Sequence, residues 1–198
     1  MRTIMAVTSL TLDGVMQGPG RPDEDTRDGF VHGGWANRYG DEIMGKAMGE
    51  QMAASSALLF GRRTYEDLHG YWPEQSDNPY TEVLNDTRKY VVSTTLAEPL
   101  PWQNSTLISD DVPGNVAKLQ AEPGGDLVVL GSGELLRTLM AHDLVDEYLL
   151  LIHPLVLGAG RTLFPGGVPV ADLELLDSVT TTTGVVLAHY RVRGGTGR

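Results

Sequence analysis

Short runs of aliphatic and β-branched residues alternate along the chain with segments whose apolar positions recur every three or four residues. The runs predict strands over residues 2–12, 57–60, 89–93, 105–109, 126–130 and 145–152. Ala57-Leu-Leu-Phe60 has no polar position at all, the pattern of a strand covered on both faces. Between the runs, Ile43, Met44, Ala47, Met48, Met52 and Ala53 form a stripe at helical spacing over 41–55. Thr64-Tyr-Glu-Asp67 predicts an N-cap and a first helical turn, and Asn78-Pro79 pairs a capping residue with a proline at the first helical position. Helices are also expected over 112–121 and 134–142. Two closing strands, near 173–182 and 185–193, flank a turn at Gly184.

Strands and helices therefore alternate to about residue 142, after which strands follow one another. That order predicts a three-layer α/β architecture, a mostly parallel central sheet with helices on both faces and antiparallel strands at the C-terminal edge. No repeat or linker divides the chain, so one domain is expected over 1–193 with a disordered tail over 194–198. A long irregular stretch, Gln17-Gly-Pro-Gly-Arg-Pro-Asp-Glu-Asp25 followed by Gly33-Gly34, interrupts the early pattern. Loops of that length inside a domain are usually functional or mobile.

Composition narrows the function. The 198 residues include 41% hydrophobic ones, enough for a core, and 15 Lys+Arg against 26 Asp+Glu, a formal charge of −11. An acidic chain repels phosphate backbones, so no nucleic-acid partner is expected, and an anionic ligand must be held by a local cluster of donors. The absence of cysteine excludes disulfides, thiolate nucleophiles and Cys-ligated metal sites. No apolar run reaches the length of a membrane span and no basic-then-apolar leader opens the chain, so a cytoplasmic protein without a membrane partner is expected. The five histidines show no metal-ligand spacing, and Gly131-Ser-Gly133 lacks the frame of a serine hydrolase elbow.

Three strand ends carry the candidate chemistry. Gly61-Arg62-Arg63-Thr64 runs from a buried strand into a helix N-terminus, where amides and dipole favour an anion and two guanidinium groups add forked donors. The alternative is that both arginines pair with surface carboxylates. Ser93-Thr94 places small hydroxyls at another strand end. Leu130-Gly131-Ser132-Gly133-Glu134-Leu135 lets a backbone approach a pyrophosphate and then opens a helix, though it is not the Gly-x-Gly-x-x-Gly of the doubly wound dinucleotide fold. Ligands in open α/β sheets bind at the carboxyl ends of strands, and all three segments end strands. Trp35, Tyr71 and Trp72 fall in loops near these ends; they either stack on a planar ring or cap the core.

With those residues in hand, the chain resembles the dihydrofolate reductase superfamily, and most of all the reductase domain at the C-terminus of the bifunctional riboflavin-biosynthesis deaminase–reductase. Ser9-Leu-Thr-Leu-Asp-Gly14 is similar to the first strand and the start of the active-site loop. Leu59-Phe-Gly-Arg-Arg-Thr-Tyr-Glu66 is similar to the Gly-Arg-x-Thr-aromatic-Glu segment, and Val129-Leu-Gly-Ser-Gly-Glu-Leu135 to the glycine-rich turn. His153-Pro-Leu-Val-Leu-Gly-Ala-Gly-Arg-Thr-Leu-Phe164 is similar to the Pro-x-x-x-Gly-x-Gly-x-x-Leu-Phe run of the riboflavin branch. The resemblance implies NADPH as cofactor. It places Gly61, Arg62, Arg63 and Thr64 at the phosphates, Ser93 and Thr94 near the 2′-phosphate, residues Leu130 to Leu135 at the pyrophosphate, and Ser9 and Met16 beside the nicotinamide. Trp35 is the expected substrate contact, and Asp13, Asp41 or a bound water are the candidate proton donors. A dihydrofolate reductase carries a carboxylate on its first helix for the pterin; counting back from the Gly-Arg pair gives Gly45 here.

The implied activity is NADPH-dependent hydride transfer to a small heterocyclic or ribityl-type substrate. Two alternatives stand beside it: a non-catalytic NADP(H)-binding protein, and a folate- or flavin-linked oxidoreductase. An antiparallel edge and the Leu/Val-rich segment 149–157 predict a homodimer, as the resemblance also implies.

Overall fold

The wholly apolar run Ala57-Leu-Leu-Phe60 lies at the middle of the protein, no residue of it more than 1% exposed. In the computed structural model, which describes residues 1–76 and 78–194, the chain forms eight strands and five α-helices. In chain order these are β1 (Ile4–Thr11), α1 (Glu42–Ala54), β2 (Ser55–Gly61), α2 (Arg62–Tyr71), α3 (Pro79–Asp86), β3 (Arg88–Val92), β4 (Ser105–Ile108), α4 (Val112–Ala121), β5 (Asp126–Leu130), α5 (Gly133–Met140), β6 (Glu147–His153), β7 (Leu173–Thr180) and β8 (Val186–Val192). Apart from Gly194, the expected tail lies outside the described residues.

One sheet holds all eight strands in the order β4-β3-β2-β5-β1-β6-β8-β7. Pairings from β4 through to β6 are parallel, and β8 runs antiparallel to both its neighbours. The α/β sheet with a parallel centre and an antiparallel C-terminal edge is therefore the architecture the element order predicts. Side chains alternate across it with period two. Ile4, Ala6, Ala57, Leu59, Leu127 and Val129 face a core closed by α4 and α5. Met5, Val7, Leu58, Phe60 and Val128 face the opposite core, closed by α1, α2 and α3. The methionines Met44, Met48 and Met52 pack against that second core, so the helical stripe is read correctly.

Two local readings differ. No helix joins β3 to β4; Trp102 fills the connection, its amide donating to the Tyr65 hydroxyl at 2.9 Å and its indole N–H to Asn85 Oδ1 at 2.7 Å. The segment 149–157 is not a pairing surface at its start, because Leu149, Leu150 and Leu151 belong to the core. The exposed apolar residues of the edge are instead Leu175, Leu176 and Val179 on β7.

Lys89 in β3 is fully buried with no carboxylate ion-pair partner among the described residues. Its ammonium lies over the Trp102 ring and donates to the carbonyls of Asn85, Thr87 and Gln103 at 2.7–3.1 Å. Burial pushes its pKa down to about 8 from 10.5. Between those values the unfolded chain binds more protons than the folded one, so folding gains stability as pH rises. Urea unfolding from pH 8 to 10 should show wild-type stability rising relative to Lys89→Met; parallel curves would contradict the buried charge.

Candidate functional site

β2 and β5 are parallel neighbours, yet the helices that follow them leave to opposite sides. α2 goes to the face of α1 and α3, and α5 to the face of α4. Where helices part in this way, the carboxyl ends of the strands are left uncovered and a crevice opens. A cleft of about 1100 Å³ lies there, lined by Val7–Ser9 of β1, by the first turns of α2 and α5, and by the loop after β1.

Ser132 holds the floor of the cleft. It is 4% exposed, and its Oγ accepts the Gly61 N–H at 3.0 Å. Its own hydrogen reaches Thr64 Oγ1 at 3.0 Å and the Leu130 carbonyl at 3.2 Å. One hydroxyl thus ties the β5–α5 turn to the β2–α2 turn. Having done so, it does not cap α5, and Gly61 has no side chain with which to cap α2. The other three helices are capped by Asp41, Asn78 and Asp111. The two helices with no side-chain cap both begin at the cleft, which the starts of the capped helices α1 and α4 also touch at Met44 and Val112, and their first-turn amides supply donors for an anion.

Backbone freedom completes the corner. Gly131 sits at φ +61°, in the left-handed region that glycine tolerates, and a Cβ on Gly133 would fall 2.9 Å from Met16 Sδ. Arg62 is paired with Glu66 at 3.0 Å, as the surface alternative has it, whereas the Arg63 side chain has no partner among the described residues. Thr8, 3% exposed, also lines the cleft, and its Oγ1 has no hydrogen-bond partner among them.

The long loop forms the roof, and one buried amide orders it. Gln17, 3% exposed, donates through Nε2 to the carbonyls of Asp25 and Arg27 and accepts the Arg161 amide through Oε1 at 3.0 Å. Its backbone carbonyl accepts the Trp35 indole N–H at 2.7 Å. Ion pairs then strap the loop to both walls. Arg21 binds Asp67 of α2 and lies over the Tyr71 ring at 5.1 Å. Arg161 bridges Asp28 at 2.8 Å and Glu134 of α5 at 2.9 Å, and Arg137 also binds Glu134.

The carboxyls beneath this roof differ. Burial pushes the Glu24 carboxyl up, against the pull of the Gly20 and Arg21 amides. Burial likewise raises Asp67, against the Arg21 hydrogen bond. Asp25 also feels burial, but its bonds from Arg27 outweigh it and hold the carboxyl down.

Of the residues expected to bind the cofactor, Ser9, Met16, Gly61, Arg62, Arg63, Thr64 and the run from Leu130 to Leu135 all line this cleft. The helix holding the two arginines begins at Arg62 rather than Thr64, so Thr64 is its third residue and not its cap. Ser93 and Thr94 do not line the cleft: Ser93 Oγ is used by the Thr95 and Leu96 amides, closing its own turn, and Thr94 points to solvent. Trp35 is 7% exposed and packs edge-on to His153 beneath the loop, because a buried indole must place its N–H. Tyr71 and Trp72 lie outside the lining, against each other.

The two expected proton donors also lie outside the cleft lining. Asp13 accepts from Thr11 and from the amides of Leu157 and Gly158, and the Thr11 bond leads in holding its pKa below the usual range. Asp41 caps α1 at Met44 and accepts from Thr182, and the Met44 amide leads in lowering it. Both are kept ionised, whereas Glu24 and Asp67 are the cleft carboxyls shifted toward carrying a proton. Sequence reasoning passed over Arg21, Arg27, Arg137, Arg161, Glu24 and Asp67. Arg161 lies within the glycine-rich run quoted above, and Arg137 stands one turn past Gly133, so both had a signal.

Replacing Ser132 with Ala leaves the Gly61 amide without its partner. Chemical denaturation should show a loss of about 1–3 kcal/mol, and a loss under about 0.5 kcal/mol would show that the two turns hold together without it.

The chain is 32% identical over 179 residues to protein YyaP of Bacillus subtilis (strain 168), covering 85% of this chain and 92% of that one. Its fold is similar to that of a pyrimidine reductase-like protein from Corynebacterium diphtheriae, with TM-score 0.64, 14% identity and coverage of 96% and 92%. It is similar too to dihydrofolate reductase from Enterococcus faecalis complexed with NADP(H), with TM-score 0.61, 12% identity and coverage of 96% of each chain. The model of the RibD C-terminal domain matches residues 2–187, nearly the whole chain, and the protein belongs to that family.

Proposed function

We propose that the protein is an NADPH-dependent reductase that passes hydride to a small heterocyclic substrate in this cleft. The observation that carries the reading is the meeting of two helix N-termini without side-chain caps at Ser132, beside a free guanidinium, in a chain whose net charge is −11. An acidic protein that gathers donors in one crevice is built to hold a polyanion there. The family and the NADP(H) complex of the Enterococcus faecalis neighbour support a nicotinamide dinucleotide as that polyanion.

The residues fit such a group. The first-turn amides of α2 and α5 would hold the pyrophosphate, Gly131 and Gly133 leaving room for the backbone to approach. Arg63, with Arg62 beside it, would hold the further phosphate of NADPH. Thr8, Ser9 and Met16 would flank the nicotinamide. The bound dinucleotide supplies the hydride. The protein's part is to orient the two rings and to keep water out under the loop that Gln17 orders. The proton would come from Glu24, whose carboxyl burial raises and which lies in the cleft, and not from Asp13 or Asp41.

Titration calorimetry tests the cofactor. Wild type should bind NADPH more tightly than NADH, and Arg63→Ala should weaken NADPH about ten- to a hundredfold while changing NADH far less. Equal losses for the two would remove Arg63 from the phosphate site. Oxidation of bound NADPH by added heterocyclic imines separates a reductase from a protein that only binds the dinucleotide.

A further inference from the structure

The two edges of the sheet are finished differently. β4 forms one edge with only four residues, and its outward Leu107 amide donates to the Glu98 carboxylate at 2.6 Å. β7 forms the other edge with eight residues, seven of them exposed. Beyond its ladder with β8, no backbone group of β7 has a hydrogen-bond partner among the described residues. An open row of N–H and C=O groups is a template for another strand, and exposed edges commonly carry lysine or proline to prevent such pairing. Leu173-Glu-Leu-Leu-Asp-Ser-Val-Thr180 carries neither, and it exposes Leu175, Leu176 and Val179.

Cross-strand neighbours share a face of the sheet. Leu173, Leu175, Ser178 and Thr180 stand opposite Val192, Tyr190, Ala188 and Val186, on the face of α4 and α5. Glu174, Asp177 and Val179 stand opposite Arg191, His189 and Leu187, on the other face. Both carboxylates of the strand therefore have a basic cross-strand neighbour within the chain. Leu176 is the extra residue where the register shifts between Leu175 and Asp177.

We propose that β7 pairs antiparallel with β7 of a second copy, about a two-fold axis between Leu176 and Asp177, joining the two sheets edge to edge. In that register Leu173 meets the partner's Thr180, Glu174 the partner's Val179, Leu175 the partner's Ser178 and Leu176 the partner's Asp177. All eight residues are paired, the neighbours outside the register shift share a face, and no carboxylate stands opposite another. A slip of two residues one way sets Glu174 against Asp177, and a slip of one mixes the two faces. The register shift falls at the axis, where it meets its own copy. A two-fold contact needs a surface complementary to itself. In a chain of net charge −11 such a surface must keep its carboxylates apart, as this strand does, and that favours a second copy over a foreign strand. The homodimer contact then lies on β7 and not on segment 149–157, whatever the cleft binds.

Sedimentation equilibrium of the full chain tests the pairing and its register. Wild type should have the mass of two copies in the micromolar range. Val179→Glu sets a carboxylate against the partner's Glu174 on both sides of the axis and should weaken the dimer about tenfold, whereas Val179→Lys should tighten it by a similar factor. Raised salt should bring the two variants together. A wild-type chain that stays monomeric overturns the proposal. So does a dimer indifferent to both substitutions, or one weakened equally by them. Should either variant fail to fold, hydrogen exchange of the wild type decides: residues 173–180 should be more protected in concentrated than in dilute samples, and protection independent of concentration overturns the pairing.

Discussion

A single hydroxyl sets the geometry of the cleft. Ser132 Oγ accepts the Gly61 amide and gives its hydrogen to the Thr64–Leu130 side, so the turns after β2 and β5 are fixed to one another across 71 residues of chain. Because the hydroxyl is used between the turns, it cannot serve α5 as a cap. The cost of leaving first-turn amides bare is the cost of having donors ready for a ligand, and it falls on α2 and α5, two of the helices that border the crevice. Everything else in the site is arranged around that pair. Gly133 leaves room for Met16, and Arg63 has no carboxylate partner among the described residues although acidic residues outnumber basic ones in the chain.

The roof obeys a second constraint. The loop of thirty residues between β1 and α1 is held by isolated turns rather than by a regular helix or ladder. Gln17 joins those turns, satisfying the carbonyls of Asp25 and Arg27 and the amide of Arg161 with one buried side chain. The straps to α2 and α5 are ion pairs, partly exposed and therefore individually weak. Rigid floor and lightly strapped roof are the combination that lets a cleft admit a flat ligand and then exclude water. The same straps consume the arginines, leaving Arg63 the cleft arginine without an ion-pair partner among the described residues.

The sheet and the floor of the site were legible because each follows from residues close together in sequence. Ala57–Phe60 announces a central strand, and Gly61–Thr64 and Gly131–Leu135 announce strand-to-helix turns. The element order then fixes which turns share an edge. What escaped depends on contacts distant in the chain. Asp41 carries the look of a catalytic acid, but the Thr182 amide, 141 residues away, shares its carboxylate with the α1 cap. Ser93 sits at a strand end as a phosphate ligand would, yet its oxygen is taken by the next two amides it can reach. Arg161 gives no local sign that it spans to Asp28 and Glu134. A polar residue at a strand end marks the region of a site; whether its oxygen is free is decided by partners the local sequence does not show.

The central claim is that the bare amides of α2 and α5 jointly hold a dinucleotide pyrophosphate. Amide-resolved NMR during an NADPH titration tests it most directly. The account predicts large, concerted shifts for the N–H groups of Arg62, Arg63 and Thr64 and of Gly133, Glu134 and Leu135, saturating at one equivalent. Shifts confined to one of the two helices, or centred away from both, would contradict it.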